Sequence, residues 1–161
     1  MGQSSVMVML TKRKRSYPSR AFTLIEILIV VVILAILAAI VIPHFTKASE
    51  TAKRSNVLTQ LQTVRKQLKI YHVSHNARYP TLAQMWGNLT GKTDVNGNPG
   101  TDYGPYLTVS PENPFTDGST LAADNTADWE YDETTGKIKA VVPAAKITQL
   151  GLSPSDTVAG P

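Results

Sequence analysis

Arg20-Ala21-Phe22-Thr23-Leu24-Ile25-Glu26 leads into an unbroken apolar run, Ile27 to Ile42, which Pro43 closes. The roughly 22 residues from Ala21 to Ile42 can cross a bilayer, since about 20 helical residues at about 1.5 Å each span its hydrocarbon core. Glu26 is the one charge inside the apolar stretch. A carboxylate carried into or near an apolar layer is costly, so it points to a function and to a partner of opposite charge. The blander reading is a side chain that snorkels to the membrane surface. An ordinary secretory signal fits less well. The apolar run exceeds the usual core of about 7–15 residues, and no Ala-x-Ala site follows it before Pro43.

A basic leader, a small residue, then Phe22-Thr23-Leu24-Ile25-Glu26 opening a long apolar helix resembles the class III signal of type IV pilins and type II secretion pseudopilins. The resemblance implies that a membrane-embedded prepilin peptidase cuts between Ala21 and Phe22 and methylates the new amino group of Phe22. The family usually has Gly before the cut, where this chain has Ala21. Ala is also small, so cleavage is expected to survive. It would make Glu26 the fifth residue, about one helical turn from a positively charged amine. In a bundle of identical helices the carboxylate of one subunit can neutralise the amine of the next. That removes two unpaired charges from an apolar interior and sets the axial stagger between subunits. Ala35, Ala38 and Ala39 permit close helix approach in such a bundle.

The formal charge of +4 suggests nucleic acid or anionic lipid at first sight. Its distribution argues otherwise. Lys12, Arg13, Lys14, Arg15 and Arg20 all precede the proposed cut and no acid does, so losing these five cations takes the side-chain charge from +4 to −1. The basic block instead orients a single membrane pass with the C-terminal domain outside the cytoplasm. No nucleic-acid partner is expected. The chain has no Cys, so an exported domain must be held by packing, hydrogen bonds or a metal. Many type IV pilins close a C-terminal loop with a disulfide, whereas major pseudopilins commonly do not, so the resemblance leans toward the latter.

Pro43 has no N–H to give the carbonyl of Ala39 and its ring crowds that carbonyl, which predicts a kink or loosening there. Family members place a proline at the same distance from the mature N-terminus. The alternative is a helix stop at the membrane surface. Beyond it, Val57, Leu61, Val64, Leu68 and Tyr71 recur at steps of four and three, an apolar stripe along one helical face. Phe45, Ala48 and Ala52 are candidates to begin the stripe. Glu50 and Arg54 stand in the favourable i, i+4 order. The helix is expected to end near His75-Asn76, with Asn76 as a C-terminal cap. His72 and His75, three apart, are weighed as a metal pair and set aside for want of a third ligand.

Asn76-Ala77-Arg78-Tyr79-Pro80-Thr81 is similar to the Asn-Gly-Arg-Tyr-Pro-Thr that follows the long helix in major pseudopilins, with Ala77 in place of Gly. Leu82, Met85, Trp86 and Leu89 predict a short helix packed on the stem. Gly91 to Gly104 reads as a loop. Trp129–Asp132 and Lys137–Val141 flank a Gly136 turn, a β-hairpin whose inward set is Trp129, Tyr131 and Ile138. Asp117, Ser119, Asp124, Asn125 and Asp128 put oxygen ligands in a loop, and the resemblance raises calcium over 117–128. The spacing matches no EF-hand, so a solvated acidic loop is preferred and no metal residues are assigned.

These readings predict an α+β fold of the pilin lollipop kind. Its parts are a cleaved leader (1–21), a transmembrane and filament-core helix (22–43), an amphipathic helix (44–76), a small antiparallel β domain on that helix (77–149) and a flexible tail (150–161). No nucleophile triad, zinc signature or phosphate loop appears, so no enzymatic activity is expected. The resemblance implies a structural subunit that forms a helical homopolymer, the pseudopilus of a type II secretion system, for protein export. Implied partners are other copies of the chain, prepilin peptidase, an inner-membrane platform protein, an assembly ATPase and minor pseudopilins. The implied location is the bacterial inner membrane in a single pass, with the C-terminal domain periplasmic, and then the filament. Alternatives are the major pilin of a type IV pilus and a membrane-anchored binding domain that never polymerises. Ala21, Phe22, Glu26 and Pro43 are the site residues of this reading.

Overall fold

The computed structural model describes residues 22–160. The leader expected over 1–21, with the Ala21 side of the cleavage point, lies outside the described residues. The chain divides into two units, up to Ile42 and from Pro43 onward. Helix α1 (Leu24–Ser74) contributes to both and stays helical through Pro43.

In the first unit every residue from Phe22 to Ile42 is exposed. Ile and Val dominate it, yet Leu24 is 84% and Ile42 63% exposed. Within a folded protein a helix is held chiefly by packing of an apolar face. This one has apolar residues all round and none is covered, the pattern of a helix whose solvent is lipid or other helices. It is long and apolar enough to cross a membrane.

The second unit is organised by the stripe on α1. Val57, Leu61, Val64, Leu68 and Tyr71 are all at most 2% exposed. The stripe does not begin earlier, because Phe45, Ala48 and Ala52 are exposed. The chain leaves α1 through two residues in the left-handed region, Asn76 (φ 53°) and Ala77 (φ 58°), with the Ala77 N–H on the carbonyl of His72. Two such residues turn the chain back along the helix. A 3₁₀ turn (Leu82–Gln84) then enters α2 (Met85–Thr90), which buries Met85 and Leu89 against the stripe, with Leu82 and Trp86 partly buried beside them.

Four strands form the sheet in the order β1 (Leu121–Ala122), β2 (Trp129–Asp132), β3 (Lys137–Val142), β4 (Thr157–Ala159). The central pair is the predicted hairpin, antiparallel with Trp129 opposite Ala140 and Tyr131 opposite Ile138. Trp129, Tyr131 and Ile138 face the core, each at most 1% exposed. Asp132 closes the turn by accepting the N–H groups of Thr134 and Thr135, and Gly136 (φ 68°) lies against the Tyr79 ring, where a Cβ would collide. The outer strands change the prediction. β1 runs parallel to β2 and β4 parallel to β3, so the sheet is mixed rather than wholly antiparallel. A parallel partner needs a crossover, and between β3 and β4 this is α3 (Ala144–Leu150).

The stretch expected to be a flexible tail over 150–161 is therefore part of the domain as far as residue 160. Gly151 (φ 59°) caps α3, Leu152 and Thr157 are buried, and β4 completes the sheet. What holds it is Arg65 on α1. Its Nη1 meets the Asp156 carboxylate at 2.6 Å, and its Nη2 donates to the carbonyls of Ile138 (2.8 Å) and Ser155 (2.9 Å). A planar guanidinium suits this three-way junction because its donors are fixed in a fork. Asn113, fully buried, makes a second junction. Its Nδ2 donates to the carbonyls of Asp128 and Val141, both at 2.7 Å, and its Oδ1 accepts the N–H of Phe115.

Candidate assembly segment

At the start of α1, Thr23 and Glu26 hold each other. The Thr23 Oγ1 accepts the Glu26 N–H at 3.2 Å, while Glu26 Oε2 accepts both the Thr23 N–H and its hydroxyl at 2.9 Å. This reciprocal arrangement satisfies helix donors that would otherwise have no intrahelical acceptor, and carboxylate charge is favoured at a helix N-terminus. Thr23 was not among the site residues expected from sequence. The signal was present, since Thr-x-x-Glu just before an apolar run is the pattern of this cap. Both carboxylate bonds use Oε2, so among the described residues the cap leaves Oε1 as an acceptor for a further donor.

Phe22, the residue ahead of the cap, is outside the helix and 74% exposed. Phe22 and Glu26 thus stand at one end of the apolar helix, and Pro43 stands at the boundary between the units. Ala21 lies outside the described residues.

Of the loop residues weighed as ligands, Asp124, Asn125 and Asp128 have side-chain hydrogen bonds. Asp128 takes the N–H and hydroxyl of Thr120 on Oδ2 at 2.8 and 2.6 Å. Burial pushes its carboxyl up, but the hydrogen bonds of Thr116 and Thr120 outweigh that and leave it below the ordinary range. Asp124 is held low by the Thr126 hydroxyl and N–H. Asn125 ties the loop to β4 through the Ala159 carbonyl at 2.6 Å. Among the described residues no group of three or more His, Cys, Asp or Glu is gathered for a metal.

His72 and His75 part ways as well. His72 packs on the ring of Tyr79 at 4.3 Å between centroids. His75 is buried, stacked on Tyr71 at 3.6 Å, with Nδ1 at 2.9 Å from the Tyr71 carbonyl and Nε2 at 2.9 Å from Thr93 Oγ1. Glu50 pairs with Lys146 of α3 at 2.9 Å rather than with Arg54.

An apolar, unpacked N-terminal helix with an acid at its cap, carried by a small α+β domain, defines the class of pilin-like proteins. Residues 18–42 match the prokaryotic N-terminal methylation motif, and residues 44–133 match the model of type II secretion system (T2SS), protein G. The chain belongs to the type II secretion protein G family. Type II secretion system core protein G of Klebsiella michiganensis is 34% identical over 104 residues, 63% of this chain and 71% of that protein. That of Dickeya chrysanthemi is 36% identical over 80 residues, 50% of this chain and 52% of that protein. The type IV major pilin protein PilA of Myxococcus xanthus is 42% identical over 69 residues, 43% of this chain and 31% of that protein. The chain thus spans about half the length of the first of these secretion relatives it matches. No solved structure matches it.

Proposed function

We propose that this chain is a structural pseudopilin. Prepilin peptidase cuts it between Ala21 and Phe22 and methylates Phe22, and the mature subunit waits in the inner membrane with its C-terminal domain periplasmic. An assembly ATPase and a platform protein then lift it into the helical homopolymer of a type II secretion system, which minor pseudopilins accompany. The observation that carries this reading is the wholly exposed apolar helix from Phe22 to Ile42 with an acid at its capped end. Such a surface has two solvents open to it, lipid before assembly and other copies of itself after.

Glu26 has a part in both. In the single subunit Thr23 occupies Oε2. In the polymer the free Oε1 accepts the terminal ammonium of the neighbouring Phe22, so the pair enters the bundle without net charge. Pro43 leaves the Ala39 carbonyl without its usual donor, a point at which the helix can loosen when the two halves exchange surroundings.

The similarity to the Myxococcus pilin supports a second reading, the major pilin of a type IV pilus. Both readings share the first test, the mass of the mature N-terminal peptide from cells with and without prepilin peptidase. A peptide beginning at N-methylated Phe22 only when the peptidase is present is expected. An intact leader, or a cut beyond Ile42, would leave an anchored or exported domain instead. Deleting the gene then separates the two machines. Loss of protein export with surface pili intact is expected of the pseudopilin, and the reverse of the pilin.

A further inference from the structure

Among the described residues from Pro43 onward, four large apolar side chains are left exposed, namely Phe45, Ile70, Val73 and Val109. Phe45 lies next to the apolar helix. The other three fall into two places. Ile70 (44% exposed) and Val73 (82%) form an apolar patch on α1 edged by Lys66 and Lys69. Val109 (71%) stands with Leu107, Pro111 and Glu112 on the rim of an apolar groove of about 410 Å³, whose other wall is Thr59 and Thr63 of α1.

The two places are complementary. Both are apolar surfaces, but their charges are opposite: the first carries two cations, and the second, a groove, carries one anion. Among the described residues, Lys66, Lys69 and Glu112 take part in no ion pair. They cannot meet within one chain. Thr59–Thr63 and Lys66–Val73 lie on the same rigid helix, centred about eight residues or roughly 12 Å apart and about a quarter turn round it.

We propose that the Lys66/Lys69/Ile70/Val73 patch of one copy docks in the Leu107/Val109/Pro111/Glu112 groove of another. This rests on the polymer reading above and adds the contact between the globular domains to it. Two different surfaces meet, so the contact is heterologous and repeats without closing on itself, as an open filament requires. With the helices parallel, it advances each copy by roughly 12 Å along the axis. Burial of Ile70, Val73 and Val109 drives it, and the lysines against Glu112 fix its register and exclude the head-to-head alternative.

The absence of native cysteine makes the test clean. Val73→Cys and Val109→Cys are placed singly and together in the full chain, at exposed sites where folding is insensitive to the change. Assembled filaments are then treated with a short bismaleimide. The double variant is expected to give a ladder of covalent oligomers, and each single variant no more than a dimer. Filaments that form but give no ladder would overturn the docking and leave the polymer reading standing. A wild-type chain that is processed yet never sediments as filament would overturn both. A second measurement uses charge alone. Glu112→Lys is expected to lower filament yield about fivefold, the worth of one interfacial ion pair, and Lys66→Glu with Lys69→Glu in the same chain to restore it. Equal loss in the single and combined variants would also rule the contact out.

Discussion

The two halves of α1 belong to one continuous helix and are built on opposite terms. Before Pro43 the helix carries apolar residues on every face and all of them are exposed. After it, five apolar residues at four-three spacing are buried at 2% exposure or less, and most of the remaining side chains are polar, with Phe45, Ile70 and Val73 exposed. The second half finds its partners inside the chain, in α2, the hairpin, α3 and Leu152. The described residues of the first half, Phe22 to Ile42, stay exposed instead. Hydrophobicity alone thus does not say where a helix is used; the angular spread of apolar residues does.

The sharpest way to break this comparison is to damage one residue on each side. Leu68→Ala in the buried stripe is expected to destabilise the domain by about 2–5 kcal/mol, the range for emptying a packed leucine site. Urea denaturation of the detergent-solubilised chain, followed by the fluorescence of its two Trp residues, reads this directly. Glu26→Ala is expected to leave that transition where it was and to lower filament yield by more than tenfold. A domain transition moved by Glu26→Ala, or filaments at wild-type yield, would mean that the halves are not separate in purpose.

Much of this was legible in the sequence. The stripe and the inward faces of the hairpin follow from local periodicity, and each predicted position among Val57, Leu61, Val64, Leu68, Tyr71, Trp129, Tyr131 and Ile138 is buried. The C-terminal strand was not legible, because its Gly, Ser and Pro content is that of a loop. Its order comes from Arg65, about 90 residues away in the chain, and local composition carries no trace of such a bond. The parallel pairings of β1 and β4 were hidden for the same reason. At the candidate site Glu26 stood out by its charge, while Thr23 was overlooked although the cap pattern was there to read.

Ala77 offers a smaller test, confined to the second half. It sits at φ 58°, where a Cβ costs roughly 1–2 kcal/mol. Glycine, which the family pattern has at this place, removes that strain but adds unfolded-state entropy of about 0.4–1 kcal/mol. Ala77→Gly is therefore expected to stabilise the domain by about 0.5–1 kcal/mol, seen as a higher urea midpoint at unchanged slope. Gly136→Ala must go the other way, since the new Cβ strikes Tyr79. A loss of stability in Ala77→Gly would mean that the strain at the helix exit is absorbed elsewhere.

Acid separates the two halves most gently. In the second unit, hydrogen bonds hold four carboxyls below their ordinary value of 3.8. Asp94 is lowered by the Asn98 N–H and side-chain amide, and Asp124 by the Thr126 hydroxyl. Asp132 is lowered by the Thr135 hydroxyl, and Asp128 by Thr116 and Thr120 against the opposing effect of burial. Groups with a depressed folded pKa contribute stability that is fully present above the unfolded value and lost as pH falls through the folded one. The domain's melting temperature is thus expected to feel no loss from these groups between pH 7 and about pH 4.5, and to decline below about pH 4 as the four are protonated. Asp132→Asn gives up its share beforehand, because an amide replaces the carboxylate that holds the hairpin turn. It is expected to melt lower than wild type at pH 7 and to lose less on acidification. Parallel declines in the two proteins would show that Asp132 does not draw its stability from its charge.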